Sequence, residues 1–251
     1  MVSVLALVGL VACGASPSSG PATQHVVPRS LIVSAAASLS GVFDQLADQF
    51  QAANPGVSVK LNYGGSTDLA AQILQGARVD VFATANTATM NTVATAGLLD
   101  SAPTVFATNQ LQIVVARGNP KSIARFADLS KPGITVVVET PQEPAGAATR
   151  NLEQATGVTL HPVSEELDVN LVLSKVATGN ADAGVVYVTD VRAANGKVQA
   201  VDLPEAALVT NTYPIAVLKN SAQPDLARQF VALVLSSTGQ QVLTRAGFGR
   251  P

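Results

Sequence analysis

Two segments of this chain run from apolar residues into residues with almost no side chain, and each ends in a hydroxyl. One is Ala35-Ala36-Ala37-Ser38 after the apolar run at Leu31, and the other is Gly64-Gly65-Ser66-Thr67 after the run from Val57 to Tyr63. Small side chains leave backbone N–H groups uncovered, a hydroxyl adds a donor, and the unsatisfied amides of a helix's first turn carry partial positive charge. Two such segments facing each other would bind an anion without lysine or arginine. Taken singly, Ser38 and Ser66 read more simply as helix N-caps, and Gly64-Gly65 as an ordinary turn. Two more stretches repeat the chemistry. "ETPQEPAGAATRNL" carries a strand end through Pro144, Ala145 and Gly146 into a helix with small residues at its entry, and "DAGVVY" sets Tyr187 at a strand end with a phenolic hydroxyl to donate.

The elements that hold these residues alternate along the chain. "LIVSA" reads as a strand, "SLSGVFDQLADQFQAAN" as a helix with Val42, Leu46 and Phe50 on one buried stripe, and "VSVKLNY" as a strand after Pro55-Gly56. "TDLAAQILQGA", "VDVFATA" and "TATMNTVATAGLL" continue as helix, strand and helix. In "TVFATNQLQIVVARGNP" two apolar runs adjoin, separated by residues 108 to 110, and a second series begins: strand "ITVVVE", helix "AATRNLEQAT", helix "EELDVNLVLSKVATG", strand "AGVVYV". The tail from Asp225 to Ala246 reads as helical, with Leu226, Phe230, Leu233 and Val234 on one face, placed to pack back on the first unit. The pattern predicts an α/β fold with mostly parallel sheets, in which ligands lie beyond the carboxyl ends of strands.

Composition narrows the function classes. The chain has 251 residues, 47% of them hydrophobic and 13% charged, with a net charge of -2. That balance argues against disorder and against nucleic acid held on a basic surface. One cysteine and two histidines, His25 and His161, do not make a metal-cation site. A serine hydrolase would need a serine with a histidine base, yet there is no G-x-S-x-G elbow, and His161 precedes a proline. No P-loop is present, so the chain does not hydrolyse ATP. A DNA-binding regulator would carry a helical module at its amino terminus, where this chain has a leader and a linker. No cofactor is expected, and no enzymatic activity.

That leader is "MVSVLALVGLVACG", apolar, too short to span a bilayer and closed by small residues and Cys13. "LVAC" resembles a bacterial lipobox, which implies a signal peptide over residues 1–12, cleavage before Cys13 and lipid on the new amino terminus, holding the protein on the outer face of the cell membrane. No Lys or Arg precedes Arg29, whereas a secretory leader opens on positive charge, so the native start is expected upstream of Met1. Residues 13–30, rich in Gly, Pro, Ser and Thr, read as a flexible tether.

From Leu31 to Gly249 the sequence resembles the molybdate-binding proteins of bacterial ABC transporters, within the type II periplasmic binding proteins. The resemblance rests on the order and spacing of "AAASL", "GGST" before "LAAQI", "GARVDVFATA", "PAG" before a helix, "GVVY" and the closing "GQQVLTRAGF". It implies two lobes, residues 31–107 with 216–251 and residues 108–215, joined by a two-segment hinge near Thr108 and Tyr213 and closing on one tetrahedral oxyanion. Carried over by position, Ser38 and Ser66 supply hydroxyl and amide donors, Ala145 and Val169 backbone amides, and Tyr187 its hydroxyl. Val169 comes from the resemblance alone, because a mid-helix amide is normally bonded within its helix; it requires a helix start near Asp168. Gly64-Gly65 replaces bulkier or hydroxylated residues of the commoner pattern, and Asp68 sets a carboxylate nearby. The implied ligand is molybdate or tungstate, with another oxyanion such as sulfate as the alternative. The implied partners are a membrane permease and its ATPase, served by a monomer.

Overall fold

The computed structural model describes residue 2 and residues 29–251; the leader, Cys13, His25 and nearly all of the tether lie outside the described residues. Two five-stranded sheets organise the chain. The first is built from β1 (Arg29–Ala36), β2 (Val57–Gly64), β3 (Val81–Ala83) and β4 (Thr104–Asn109), with α1 (Ser40–Ala53), α2 (Ser66–Leu74) and α3 (Thr87–Thr95) between them. The second holds β5 (Leu111–Ala116), β6 (Val136–Glu139), β7 (Ser164–Glu166), β8 (Ala183–Tyr187) and β9 (Val198–Val201), with α4 (Pro144–Thr156), α5 (Val169–Ala177) and α6 (Val188–Ala193). The chain then returns to the first sheet through β10 (Asn211–Val217) and ends in α7 (Pro224–Leu235) and α8 (Ser237–Ala246).

The strand orders are β2-β1-β3-β10-β4 and β7-β6-β8-β5-β9. In each sheet the βαβ units pair in parallel, as the alternation predicts, and the strands that pass between lobes join antiparallel, so both sheets are mixed. One lobe passes to the other at Gln110, between β4 and β5, and back between Val201 and Asn211. Thr108 and Tyr213, the expected hinge positions, sit a few residues from these crossings, inside strands of the first sheet. By strand pairing, residues 108–109 and 211–215 therefore go with the first lobe.

Burial follows the apolar stripes. Val42, Phe43, Leu46 and Phe50 of α1 are buried, and Phe230 of α7 meets Phe43 and Phe50 edge-on at 5.8 and 5.5 Å, which ties the C-terminal helices to the first lobe. Such aromatic pairs stabilise beyond their buried area. The core continues across the crossing through Tyr213, which packs edge-on against Phe106, Phe248 and Tyr187.

Two stretches that read as single helices are broken by a capping residue. The stretch 165–179 is not one helix: Ser164–Glu166 pairs with β6, and α5 starts at Val169 because Asp168 adopts an extended backbone and its carboxylate takes the N–H of Leu171 at 3.0 Å. An aspartate that can cap competes with helix at its own position. In the tail, Ser236 likewise ends α7 and caps α8 by accepting from the Gly239 N–H.

Candidate functional site

Neither serine is a cap. Ser38 lies within a 3-10 turn, Ala37–Leu39, and Ser66 is the first residue of α2, whose N-cap is Gly65; neither makes a side-chain capping bond. Both are buried, and each oxygen has another partner. Ser38 Oγ lies 2.9 Å from the Tyr213 hydroxyl, and Ser66 Oγ accepts from the Ala85 N–H at 3.1 Å.

The second lobe brings two helix starts and a strand end. Val169 opens α5, so its amide belongs to a first turn, as the resemblance requires. Ala145 lies in the first turn of α4, where its N–H donates to Glu139 Oε2 at 2.6 Å and the N–H of Gly146 shares that oxygen at 3.1 Å. A Cβ at Gly146 would collide with the carbonyl oxygens of Glu139 and Thr140, so only glycine lets the helix start this close to the strand end. Tyr187 ends β8 at 1% exposure, and its buried hydroxyl makes no hydrogen bond of good geometry among the described residues, its polar neighbour being the Tyr213 hydroxyl. Burial raises the Tyr187 pKa well above the ordinary value, so the hydroxyl keeps its proton as a donor.

Interlobe hydrogen bonds draw these segments together. Asn170 Nδ2 donates to the Ala37 carbonyl at 3.2 Å, which brings the start of α5 to the Ser38 turn. Asn211 Nδ2 donates to Ala85 at 2.9 Å and to Pro144 at 3.4 Å, linking the Ser66 neighbourhood to the start of α4. Thr67 Oγ1 donates to the Gln142 carbonyl at 2.9 Å, and Glu143 accepts the amides of Thr67 and Asp68 at 2.9 and 3.0 Å. A Cβ at Gly65 would collide with the Leu167 carbonyl and the Glu143 carboxyl of the facing lobe. Gly65 is therefore part of the closure surface, which explains why bulk is absent there, whereas a Cβ at Gly64 would make only ordinary contact with Leu69 of its own lobe. Asp68 is exposed, and its backbone rather than its carboxylate takes part.

No lysine or arginine takes part in these contacts among the described residues, and buried carboxyls stand close by. Burial pushes Glu139 up to about 8 and Asp190, which accepts the Tyr187 N–H at 2.8 Å, up to about 7. Glu143 is also raised, by burial first. Among the described residues no group of three or more His, Cys, Asp or Glu could hold a metal ion, and no helix is long and apolar enough to cross a membrane. Glu139 does have a sequence signal, a lone carboxylate closing the apolar run "VVVE" six residues before the Ala145 amide. Tyr213 and Asn109 have none.

Residues 31–249 match the family described as bacterial extracellular solute-binding protein. The chain belongs to this family. Among the relatives of this solute-binding protein is the molybdate-binding protein ModA of Mycobacterium tuberculosis, 55% identical over 252 residues that span 100% of this chain and 97% of the relative. The fold matches the periplasmic molybdate-binding protein of Azotobacter vinelandii at a TM-score of 0.78 and 23% identity, covering 88% of this chain and 99% of that one. It also matches the sulfate-binding protein SubI of Mycobacterium tuberculosis at 0.77 and 21% identity, over 88% and 86% of the two chains. These matches establish the two-lobed periplasmic binding protein architecture. As a member of this family the solute-binding protein acts outside the cytoplasm and is a binding protein rather than an enzyme.

Proposed function

We propose that this solute-binding protein captures molybdate, and tungstate with it, between its lobes and delivers the anion to the permease of an ABC transporter. The donors are the hydroxyls of Ser38, Ser66 and Tyr187 and the helix-start amide at Val169; the Ala145 amide, held by Glu139 Oε2 at 2.6 Å, joins them once it turns from that carboxyl to the anion. The observation that carries the reading is the Tyr187 hydroxyl. A buried polar group without a partner is rare and costly, and an oxyanion held among donors supplies the missing acceptor. The whole-length likeness to a molybdate-binding protein supports the cargo.

A ligand-facing set made of donors, with the Glu139 and Glu143 carboxyls turned to the α4 and α2 amides, also favours this cargo physically. At neutral pH phosphate keeps a proton and needs an acceptor, whereas molybdate, tungstate and sulfate are proton-free dianions that only accept. Size separates sulfate, because donors set for a larger tetrahedron leave some bonds to it long, and each poorly made buried bond costs about 1–3 kcal/mol. The structural likeness to a sulfate-binding protein makes sulfate the second reading. Titration calorimetry of the purified protein with molybdate, tungstate, sulfate and phosphate decides between them. One-to-one heat with the first two supports the proposal, heat with sulfate alone moves the cargo to the second reading, and silence with all four removes the site.

Delivery and anchoring complete the proposal. Binding energy drives closure about the two crossings, the closed form docks as a monomer on the permease, and the partner ATPase powers transport. Cys13 carries the lipid that holds the protein on the membrane, through the tether of residues 13–30. Mass spectrometry of the membrane fraction tests this: an acylated Cys13 supports it, and an unmodified secreted chain overturns it.

A further inference from the structure

Asn109 closes β4 beside the first crossing, and Tyr213 lies on the returning strand β10. Both are buried, and neither belongs to the donor set above. The Gln110 N–H donates to Asn109 Oδ1 at 3.0 Å, which fixes the orientation of the side-chain amide. Its Nδ2 must then be the donor on the other side, to Thr189 Oγ1 at 2.9 Å and to the Tyr213 hydroxyl oxygen at 3.4 Å. Tyr213 is fully buried, so its own proton needs an acceptor, and Ser38 Oγ stands at 2.9 Å.

We propose that Asn109 and Tyr213 are positioning residues that set the polarity of the Ser38 hydroxyl: Asn109 donates to Tyr213, Tyr213 donates to Ser38, and the Ser38 proton is left for the anion. The inference rests on the oxyanion reading of the site. Ser66 reaches the same polarity by a different route, since the Ala85 N–H bonded to its oxygen can only donate. Both serine oxygens are thus already acceptors, and donating to the ligand is the arrangement that leaves no proton unpaired. A ligand that itself carries a proton finds no vacant acceptor matched to it. The chain of bonds also crosses between lobes, because Thr189 follows Tyr187 by two residues on α6, so closure and the polarity of Ser38 are set together.

The test uses the full chain, with molybdate and phosphate titrated into wild type, Tyr213→Phe, Asn109→Asp and the double variant, and with ligand-free melting temperatures measured alongside. Wild type that binds no molybdate sinks the oxyanion reading itself, whatever the variants do. Given binding, Tyr213→Phe is expected to weaken molybdate about ten-fold, the scale of one misdirected bond to a charged group, and to narrow the preference over phosphate because Ser38 regains a free lone pair. Asn109→Asp turns the donor into an acceptor and reverses the chain, so it should weaken molybdate more than Tyr213→Phe does. In the double variant no hydroxyl remains to relay the reversal, and affinity should return toward that of Tyr213→Phe alone. Unchanged affinity and selectivity in Tyr213→Phe, or losses that simply add in the double variant, overturn the proposal. Should Tyr213→Phe fail to fold, the phosphate preference of Asn109→Asp decides, and an unaltered preference is the overturning result.

Discussion

Glu143 of the second lobe caps Thr67 of the first: Oε2 accepts the Thr67 N–H at 2.9 Å, while Oε1 accepts the neighbouring amide of Asp68 at 3.0 Å. A carboxylate thus occupies the N-terminus of α2, a place suited to an anion, and in doing so bridges the lobes. Closure is held by the protein's own acid at one amide pair, beside the Ser66 hydroxyl that the proposed ligand takes. If the latch stabilises the closed form and the ligand binds that form, then removing the latch lowers the competent fraction and the apparent affinity together. Glu143→Ala is expected to raise the ligand-free radius of gyration in small-angle scattering and to weaken molybdate roughly ten-fold, the loss of a charge-assisted interaction. An unchanged radius with unchanged affinity would show the contact to be idle.

Gly65 tests the same surface sterically. Its missing side chain is the space into which the Leu167 carbonyl and the Glu143 carboxyl of the facing lobe fit. The clash exists only between lobes, so Gly65→Val should leave the ligand-free protein folded yet hold the cleft ajar. Molybdate affinity is expected to fall by at least about a hundred-fold, because several interlobe donors withdraw at once. A variant that binds like wild type would mean that the lobes close along a different path.

Buried carboxyls give the protein a pH dependence of defined sign. Burial raises Glu139 from 4.5 to about 8 and Asp190 from 3.8 to about 7. Between the unfolded and folded values, the folded form keeps a proton that the unfolded form has lost. Stability from these groups is therefore full at the acidic end, falls as pH rises through the window, and levels off above about 8. Thermal melts across pH 5 to 9 should show the decline, and Glu139→Gln should flatten its upper part while the Asp190 share persists. The same acid bears on binding, since Glu139 holds the Ala145 amide. Neutral below about 8, it adds no repulsion to a dianion. Above that pH molybdate affinity should fall in wild type and hold level in Glu139→Gln; a parallel decline in both would place the titrating group elsewhere.

Much of this arrangement is legible in the chain. The four strand ends rich in small residues or hydroxyls mark four of the five proposed donors, because uncovered amides require missing side chains and sequence records side-chain size directly. Val169 is different. Its amide is exposed only because Asp168 breaks the helix before it, and the periodicity of residues 165–179 carries through that break without a mark. The polar neighbours are harder still. Asn109, Tyr213 and Glu143 act across the chain on partners from 75 to 175 residues away, so nothing in their local spacing reports the contact. Gly65 is legible as an absence of bulk, but the Leu167 carbonyl and Glu143 carboxyl that face it are not.

Tyr187→Phe separates binding from folding more cleanly than any other change. Most substitutions at a binding site weaken both, because the side chain that holds the ligand also packs or bonds within the protein. The buried Tyr187 hydroxyl makes no hydrogen bond of good geometry among the described residues, while its ring packs edge-on to Tyr213 at 5.9 Å. Phenylalanine keeps the ring and removes the orphan oxygen, whose burial without a partner costs about 1–3 kcal/mol. Without ligand the variant should melt at or above the wild-type temperature, by up to a few degrees for a chain of this size. With molybdate the order must invert, since the wild type gains a charge-assisted bond that the variant lacks, and affinity should drop about ten- to a hundred-fold. Calorimetric binding and ligand-free melts on the same two proteins measure both signs. A variant that is destabilised without ligand, or one that binds molybdate as wild type does, would mean that the hydroxyl serves the fold and not the anion.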